Sequence, residues 1–476
     1  MSIETAKILF QDMLVLKNAT RKLFSDVNIP SYIRDWFVKR NTKDDGSVDL
    51  DDLQQKIKAI IPPRNAWNDL LSQILEGKQV RLLARVMINI DITNESVNFA
   101  LPDYDLPFSK TIIPDDVWRS QKEQMLHSHG AVWGVVDLNK TTIQIGKKIE
   151  VRVGMSQFTG FKPYKVDIAY YQAVRAKLKT AEWIDLLLGA IDYNAEGFST
   201  ELEKLSMLHR LLPFLEKRIN MIELAPKGTG KSYLFSQISK WGWLSTGGVM
   251  TRAKLFYDMQ RREHGLLSHY DFVALDEIGT TVFQNETELQ GAMKGYLESG
   301  TYSVGVASGK SDAGLILLGN IPIQDMNAEQ WMLQSLPSIL KDSALLDRFH
   351  GFIEGWNIPR MQERLKQNDW AISSEYISEI FHLMRDSMVY AQVVESMLDI
   401  PSESDTRDVT AVKRLTTAFV KLLFPHWIKS ELVDKEEFIK YCLHPALRMR
   451  SIIKRQMAII DPQFALIPAL RVDVRS

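Results

Sequence analysis

Residues 221–232 combine a short apolar stretch, a glycine-bearing loop and the start of a helical pattern. Glycines permit the tight turn in which successive backbone amides point inward at phosphate oxygens. Lys231 adds a positive charge at the phosphates, and Ser232 offers a hydroxyl to Mg²⁺. The pattern predicts a phosphate-binding loop between a buried strand and a helix, with ATP and Mg²⁺ as cofactors. The loop is Ala225-Pro226-Lys227-Gly228-Thr229-Gly230-Lys231-Ser232.

The first loop position departs from the consensus, which has glycine where this chain has Ala225. Alanine fits the last position of a strand, because φ is negative there and no left-handed backbone is needed. We therefore expect the loop to form despite the substitution.

A second buried strand is predicted downstream, where the apolar run after Asp271 ends in Asp276-Glu277. Taken alone, an acidic pair at this point is best interpreted as an ordinary strand end. Coupled to the loop, it matches the chemistry of nucleotide hydrolysis, which needs one acid at the metal and one at the attacking water. We predict that Asp276 holds Mg²⁺ through water and that Glu277 polarises the attacking water.

Composition limits the partners and the compartment. The chain has 476 residues, with 58 Lys and Arg against 59 Asp and Glu, so no overall basicity marks a nucleic-acid-binding protein. A ring with a locally basic channel can still bind DNA. Cys442 is the single cysteine, which excludes an intramolecular disulfide and favours a reducing compartment. The sequence shows neither a leader pattern nor an apolar run long enough to span a membrane. We therefore predict a cytoplasmic protein that does not bind a membrane.

The periodicity of apolar residues predicts an α/β nucleotide-binding core with a helical lid, preceded by a helical cap and a β-rich, barrel-like domain. In the β-rich part, apolar residues alternate from Val80 to Ile92, and turns are expected at Asn139-Lys140 and Gly146-Lys147. The predicted regions are 1–77, helical; 78–165, β-rich and facing DNA; 166–220, a helical connector; 221–358, the α/β core; and 359–476, a helical lid and C-terminal region.

Two further polar residues extend the predicted site. Asn320 ends another buried strand, which would place it beside the γ-phosphate or the attacking water, although a turn before Ile321-Pro322 explains it equally well. Arg348 interrupts an apolar cluster and is a candidate arginine finger for the nucleotide of a neighbouring subunit. The alternative is a salt bridge from Arg348 to Asp347 or another nearby acid.

The order of these motifs resembles an AAA+ ATPase. More narrowly, four segments resemble the BrxL family, the Lon-protease-like ATPases of bacterial BREX phage-defence systems. That resemblance implies an ATPase core similar to the MCM helicases, a hexameric or heptameric ring, single or stacked, around double-stranded DNA, and other defence-system proteins as partners. It is strongest between Trp183 and Trp356. The four segments are Glu182 to Leu188, Ile222 to Ser232, Leu318 to Asn320 and Asp347 to Phe352.

The region after the core carries a further resemblance. Residues 407–415 are similar to the AAA+ helix that places a second nucleotide-sensing cation, which makes Lys413 or Arg414 the candidate. A basic residue on a solvated helix face is the alternative. Longer family members add a Lon-like peptidase domain after the lid, and because this sequence stops at Ser476, we do not expect peptidase activity.

Candidate DNA contacts come from the segment between the acidic pair and Asn320. Residues 298–312 predict a hairpin with Lys310 at its tip, where MCM-like proteins carry an inserted hairpin. Lys310 would contact DNA phosphate in a central pore. Arg252 and Arg261, on a predicted helix before Asp271, are further candidates. Plain solvation is the alternative for all three cations.

These predictions favour a ring-forming ATPase that moves on or remodels duplex DNA in phage defence. The first alternative is an ATP-dependent protein unfoldase, for which Tyr302 is the nearby aromatic candidate to grip polypeptide. The second is a nucleotide-gated DNA-binding scaffold, in which ATP drives assembly and hydrolysis matters little.

Overall fold

The computed structural model describes residues 8–10, 13–17, 24, 29–43, 47–62, 66–92, 94–126, 131–145, 148–160, 166–260, 263–334 and 336–475. Two compact units divide the chain. The larger unit takes in residues 1–20, 29–37 and 165–476, and the smaller takes in 21–28 and 38–164. The boundaries therefore cross the expected N-terminal helical region, part of which joins the larger unit. Within the described ranges, each helix is too short or too polar to cross a lipid bilayer.

The smaller unit is built on a five-stranded sheet. Alternate side chains of its first long strand are buried, among them Leu82, Ala84 and Val86, as the sequence alternation predicts. The amide of Ile113 donates to the carbonyl of Val97 at 2.7 Å and links the two outer strands, so the sheet is nearly closed. In sheet order the strands are Ser96–Ala100, Val80–Asp91, Ala131–Ile145, Lys148–Gly160 and Thr111–Ile112. The helices are Leu50–Ile60, Trp67–Leu75 and Asp115–Leu126.

The prediction of a turn at Asn139-Lys140 is wrong, because the strand Ala131–Ile145 continues through both residues. Asn139 pairs with Gly154 of the facing strand. A Cβ on Gly154 would lie 2.6 Å from Asn139 Oδ1, so glycine gives the asparagine side chain room inside the ladder. The irregularity lies earlier, as a register shift between Asp137 and Leu138. The other expected turn, Gly146-Lys147, lies outside the described residues.

The larger unit contains a five-stranded, fully parallel sheet. Its strands, in sheet order, are Gly351–Glu354, Met221–Ala225, Gly314–Asn320, Phe272–Asp276 and Gly242–Thr246. We call Met221–Ala225 the loop strand, Gly314–Asn320 the asparagine strand and Phe272–Asp276 the acidic strand. The asparagine strand lies between the other two, so the loop strand and the acidic strand are not hydrogen-bonded neighbours.

Long apolar runs explain this order, because a central parallel strand is covered on both faces. The side chains of Ile316, Leu317 and Leu318 are fully buried, and those of Val273, Ala274 and Leu275 are at most 1% exposed. All five strands point the same way, so their last residues meet at one margin, which we call the carboxyl edge. The opposite margin is the amino edge.

The larger unit also contains fifteen described α-helices and five pairs of short strands outside this sheet. The region after 359, predicted to be helical, also contains three short strands. The helices are Ser31–Arg40, Ile168–Arg175, Thr180–Ala190, Glu201–His209, Leu212–Leu215, Lys231–Gln237, Arg252–Leu255, Glu286–Ser299, Ser343–Leu346, Ser374–Arg385, Val389–Met397, Thr406–Leu423, Lys435–Phe438, His444–Ile460 and Pro462–Ala465. The antiparallel strand pairs are Leu14–Leu16 with Trp370–Ile372, Tyr257–Asp258 with Glu263–His264, Thr301–Val304 with Ala307–Lys310, and Leu398–Asp399 with Asp473–Val474; Val249–Met250 pairs in parallel with Val282–Phe283.

The start of the chain is tied into this unit by a buried polar network. Lys17 Nζ lies 2.6 Å from Asp35 Oδ2 and 2.7 Å from Asp192 Oδ1, and its side chain is 1% exposed. The hydroxyl of Tyr233 donates to Asp192 at 2.5 Å. Because Tyr233 belongs to helix Lys231–Gln237, the network fastens the first segment of the chain to the helix that follows the glycine loop.

Candidate nucleotide site

The glycine loop leaves the loop strand at the carboxyl edge. Ala225 is the last residue of that strand and is fully buried, and its φ is negative, as expected where the consensus has glycine. Gly228 and Gly230 have φ of 83° and 79°, a left-handed conformation that glycine adopts without strain. The amides of Lys227, Gly228 and Gly230 donate no hydrogen bond within the described part of the chain. Such unpaired amides in a tight bend are suited to bind an anion.

The first side chain of the following helix reaches the end of the asparagine strand. Lys231 Nζ donates to Asn320 Oδ1 at 2.7 Å and to the carbonyl of Pro226 at 3.4 Å. Lys231 is 5% exposed, and burial lowers the pKa of its ammonium group. Lys231, predicted to bind phosphate, and Asn320, predicted beside the γ-phosphate or the attacking water, are thus in contact with each other.

The hydroxyl of Ser232 donates to Asp276 Oδ2 at 2.5 Å. Ser232 is exposed, whereas Asp276 is 4% exposed at the end of the acidic strand. A hydroxyl beside a carboxylate is a hard oxygen donor set, which suits Mg²⁺ completed by water and phosphate oxygens. These two residues therefore fit the predicted metal.

Glu277 follows directly and has a φ of 52°, which is uncommon for a residue with a side chain. Its own amide donates to Asp276 Oδ1 at 2.9 Å, which holds the bend. Glu277 is exposed, and a Cβ on Gly247 would lie 3.3 Å from its Oε2. The left-handed turn separates the two acids, leaving Asp276 at Ser232 and turning Glu277 out to where it can meet water.

Neither lid cation is at the carboxyl edge. Lys413 Nζ lies 2.6 Å from Glu395 Oε2 on another lid helix. Arg414 Nη1 donates to the carbonyl of Arg218 at 3.0 Å, and Arg218 precedes the loop strand. Arg414 therefore lies at the amino edge, about 16 Å of strand away from the loop. The prediction that Lys413 or Arg414 senses the nucleotide of its own subunit is therefore corrected. The lid helix that carries both residues packs against the amino edge, on the opposite side of the sheet from the glycine loop.

Arg348 also lies at the amino edge. Two residues after it, His350 and Asn220 exchange hydrogen bonds, with the amide of His350 2.8 Å from the Asn220 carbonyl, just before their two strands begin. Arg348 Nε is 3.0 Å from Glu298 Oε2, so the predicted alternative of a salt bridge to a nearby acid holds within the subunit. Asp347 is engaged elsewhere, by Arg407 and Arg450 at 2.7 and 2.6 Å.

Sequence reasoning missed a cation that does lie against the loop. A Cβ on Gly228 would lie 3.2 Å from Arg360 Nε, and the amide of Met361 donates to the Gly228 carbonyl at 2.8 Å. The Arg360 side chain is exposed and has no ion-pair partner among the described residues. Nothing in the local sequence marks it, because the approach depends on how the segment after the last strand crosses the loop.

A second missed group lies beneath the loop. The Arg210 guanidinium binds the Glu223 carboxylate at 2.5 and 2.9 Å and the carbonyl of Thr229 at 2.8 Å. Both charged side chains are fully buried. The available signal was Glu223 itself, a carboxylate inside an otherwise apolar strand, which requires a buried partner.

The predicted hairpin forms, but Lys310 is not at its tip. Lys310 pairs with Thr301 at the base, and Gly305 and Val306 make the turn. Gly305 has a φ of 59°, which suits a tight turn. The Lys310 side chain is exposed, and its ammonium group makes no hydrogen bond or ion pair with the described part of the chain. Val306 is 96% exposed.

The remaining DNA candidates differ in setting. Arg252 starts a four-residue helix, Arg252–Leu255, and the strand Tyr257–Asp258 follows it. The prediction of a longer helix here is therefore wrong. Arg252 Nη1 lies 2.9 Å from Glu288 Oε2. Arg261 lies outside the described residues. Tyr302, the candidate for gripping polypeptide, is 3% exposed, and its hydroxyl contacts Ser268 Oγ at 2.7 Å.

The structure is a mixed α/β fold, in which the carboxyl edge of a parallel sheet gathers a glycine loop, a lysine and a serine at the start of the following helix, and a carboxylate from another strand. A family model described as "Lon-like protease BrxL-like, ATPase domain" matches residues 153–467, and one described as "BREX system Lon protease-like protein BrxL N-terminal" matches residues 8–139. The chain belongs to this BrxL-like family, as the sequence resemblance predicted.

Two relatives named Lon-like protease BrxL are similar to the chain over most of its length. The protein of Escherichia coli O9:H4 (strain HS) is 26% identical over 457 residues, which cover 94% of this chain and 63% of the relative. The protein of Bacillus cereus (strain H3081.97) is 26% identical over 470 residues, covering 96% and 68%. The chain thus spans roughly two thirds of the length of the curated relatives that it matches.

Proposed function

We propose that the chain is an AAA+ ATPase with an MCM-like core that forms a ring and uses ATP hydrolysis to move on or remodel double-stranded DNA in BREX-type anti-phage defence. The observation that carries the proposal is the convergence at the carboxyl edge: Lys231 on Asn320, Ser232 on Asp276, and Glu277 exposed beside them. The description of the matching family, which contains "ATPase domain", supports it.

The proposed roles follow from what each group can donate or accept. The loop amides and Lys231 bind phosphate oxygens, and Ser232 and Asp276 hold Mg²⁺ directly or through water. When bound, Mg²⁺ would neutralise negative charge on the phosphate oxygens of the nucleotide. Glu277 polarises the attacking water, and Asn320 orients it. When nucleotide enters, Lys231 exchanges its bond to Asn320 for one to phosphate, which frees the amide to bind water.

The amino edge supports assembly into a ring. Arg348 and Arg414 lie there, on the side of the sheet opposite the glycine loop of their own subunit. A cation in that position contacts a nucleotide only if the nucleotide belongs to the next subunit. Head-to-tail contacts of this kind close into rings when the rotation between subunits allows. We propose that Arg348 stabilises transition-state charge across the subunit boundary and that Arg414 acts from the same side.

The proposed DNA contact rests on Lys310. Its ammonium group is exposed and carries no partner in the described ranges, so it is available to a phosphate. Arg252 already faces Glu288, which makes it the weaker of the two. A ring repeats each cation once per subunit, and the resulting affinity for DNA falls steeply with salt.

An ATP-dependent unfoldase is the alternative that one observation favours, since exposed Val306 at the hairpin tip would contact an unfolded polypeptide. Buried Tyr302 does not support it. Duplex DNA binding measured over a salt series separates the two readings, because gripping polypeptide gives no reason for a steep negative slope. Val306→Asp would abolish unfolding and leave DNA affinity nearly unchanged if the alternative holds.

The decisive experiment is the Glu277→Gln variant, which keeps the shape of the side chain and removes its charge. We expect ATP binding to persist while turnover falls by at least about 100-fold. Unchanged turnover would refute the assignment of Glu277. Ring formation and phage defence that persist in the variant would favour the nucleotide-gated scaffold instead.

A further inference from the structure

Arg210 has a complete set of partners beneath the glycine loop. Its Nε and Nη2 bind the two carboxylate oxygens of Glu223, Nη2 also reaches Thr229 Oγ1 at 3.1 Å, and Nη1 reaches the Thr229 carbonyl at 2.8 Å and Met207 Sδ at 3.4 Å. Arginine has five N–H donors in a rigid planar fork, and all of them are engaged. A lysine could serve the carboxylate but not both atoms of the threonine.

Glu223 fixes where this fork lies. It is the middle residue of the loop strand and is fully buried, with its backbone held in register by strands on both sides. The two parallel bonds to a strand-borne carboxylate fix both the position and the plane of the guanidinium. The sheet therefore fixes the position of the Arg210 guanidinium, and the guanidinium in turn fixes the position of Thr229.

The consequence for the loop follows from peptide geometry. Thr229 is 2% exposed and lies between Gly228 and Gly230. Its carbonyl points down to Arg210. In a planar trans peptide the C=O and the next N–H point in opposite directions, so the amide of Gly230 points away from Arg210. That amide donates to no described residue.

We propose that the Arg210–Glu223 pair is a positioning device that holds the Gly230 amide, and with it the bend of the loop, in the orientation that binds the polyphosphate of a nucleotide. The inference rests on the proposed function, because it assigns how the same loop is prepared for its ligand. A loop fixed before binding loses less conformational freedom when nucleotide arrives, which strengthens binding.

The test separates positioning from plain stability. Replacing a buried ion pair by apolar side chains of similar volume is often neutral or stabilising. The double variant Arg210→Met/Glu223→Met therefore retains the core and loses both bonds to Thr229. The matched control is Lys421→Met/Glu216→Met, which removes another pair, 2.7 Å apart with the lysine 1% exposed, from a part of the unit away from the loop.

For each protein, thermal unfolding and the affinity for fluorescent ATP and ADP analogues are measured. We expect the double variant to bind both nucleotides about tenfold more weakly or worse, while the control pair binds as wild type. Wild-type affinity in a folded double variant would overturn the proposal. If the double variant does not fold, Arg210→Lys keeps the charge pair, and its unchanged affinity would be equally fatal. Wild-type protein that binds neither nucleotide would instead refute the proposed ATPase.

Discussion

Ser232 and Asp276 are in hydrogen-bond contact at 2.5 Å although a third strand separates the strands that position them. The contact joins the first turn of the helix after the glycine loop to the end of the acidic strand. The asparagine strand fills the space between, and its own terminal residue, Asn320, takes Lys231. These two contacts tie three strand ends together.

The Ser232 to Asp276 contact predicts a shared metal dependence. Asp276→Asn removes the negative charge that a divalent cation needs, and Ser232→Ala removes the hydroxyl. We expect each variant to lower ATP turnover at least about tenfold and to shift its Mg²⁺ requirement to higher concentration. Titrating turnover against Mg²⁺ measures both effects. Ser236→Ala, one helical turn on, is the control, and an Asp276→Asn enzyme with the Mg²⁺ dependence of wild type would contradict the assignment.

The position of Arg348 predicts complementation between two inactive proteins. Arg348→Ala lacks the proposed finger, and Glu277→Gln lacks the proposed water-polarising acid, so each alone should be inactive. When the two are mixed at equal amounts and allowed to exchange subunits, about a quarter of the subunit boundaries join an intact Glu277 to an intact Arg348. We expect ATP turnover to return to a comparable fraction of wild type.

No recovery on mixing, with subunit exchange shown by fluorescence, would exclude Arg348 as a finger for the nucleotide of the neighbouring subunit. The control is Arg455→Ala mixed with Glu277→Gln, because Arg455 is a partly exposed arginine paired with Glu329 on the surface. That mixture contains fully active subunits from the start. Its ATP turnover therefore gives the reference value for a mixture in which only the Glu277→Gln protein is inactive.

Arg360 predicts a change in nucleotide affinity. Its guanidinium, which has no ion-pair partner among the residues that the structure describes, lies against Gly228, where a bound polyphosphate would bring negative charge. We expect Arg360→Ala to weaken ATP binding by roughly tenfold, the range of a hydrogen bond to a charged group. Arg364→Ala is the matched control, since Arg364 lies on the same segment and bonds to Gln362 at 2.9 Å. Equal affinities for the two variants would remove Arg360 from the site.

Lys310 predicts the salt dependence of DNA binding. Lys310→Ala should weaken binding to duplexes of any sequence and make the slope of log affinity against log salt shallower, because fewer counterions are released. Arg252→Ala should do less, since Arg252 is already paired with Glu288. Affinities measured from low to moderate salt decide the matter. An identical slope for Lys310→Ala and wild type would exclude Lys310 from the DNA contact.

His350 predicts a loss of stability in acid. Its Nδ1 accepts the amide of Asn220 at 3.0 Å, and burial, with Arg414 and Arg450 nearby, lowers the pKa of the imidazole well below its usual value. The folded protein keeps it neutral while the unfolded chain takes up a proton below about pH 6.5. The free energy of unfolding therefore falls as the pH drops through that value, by up to about 1.4 kcal/mol per pH unit.

The check on His350 is the variant His350→Asn, whose Oδ1 can still accept the Asn220 amide but cannot be protonated. Denaturant unfolding at several pH values between about 7 and 5 should give a smaller slope for this variant than for wild type. The exposed His444, changed to Asn, is the control. A wild-type slope in His350→Asn would show that other groups account for the acid sensitivity.

Local sequence predicted the glycine loop, the acidic strand and the asparagine strand because each is a contiguous pattern whose chemistry depends on spacing along the chain. The predicted tip at Lys310 failed because two glycines compete for the turn, and only pairing shows that Gly305 makes it: Gly309 lies in the return strand, where a Cβ would strike the Tyr302 ring at 2.4 Å. Arg360 was out of reach for another reason, since it approaches the loop from a segment more than 100 residues further along the chain, whereas Glu223 in an apolar strand signalled a buried partner without identifying it as Arg210.

The helix that carries Ser232 is connected to the N-terminal segment through a chain of contacts. Lys17 pairs with Asp192, and Asp192 accepts a hydrogen bond from Tyr233 of that helix. A protein made without its first 20 residues would leave Asp35 and Asp192 in the interior without the ammonium that both now share. Buried carboxylates that lose a counterion tend to take up protons or draw in water. Shortening the chain at that end would therefore disturb the helix that carries Ser232, and with it the proposed nucleotide site, without changing any residue of the glycine loop.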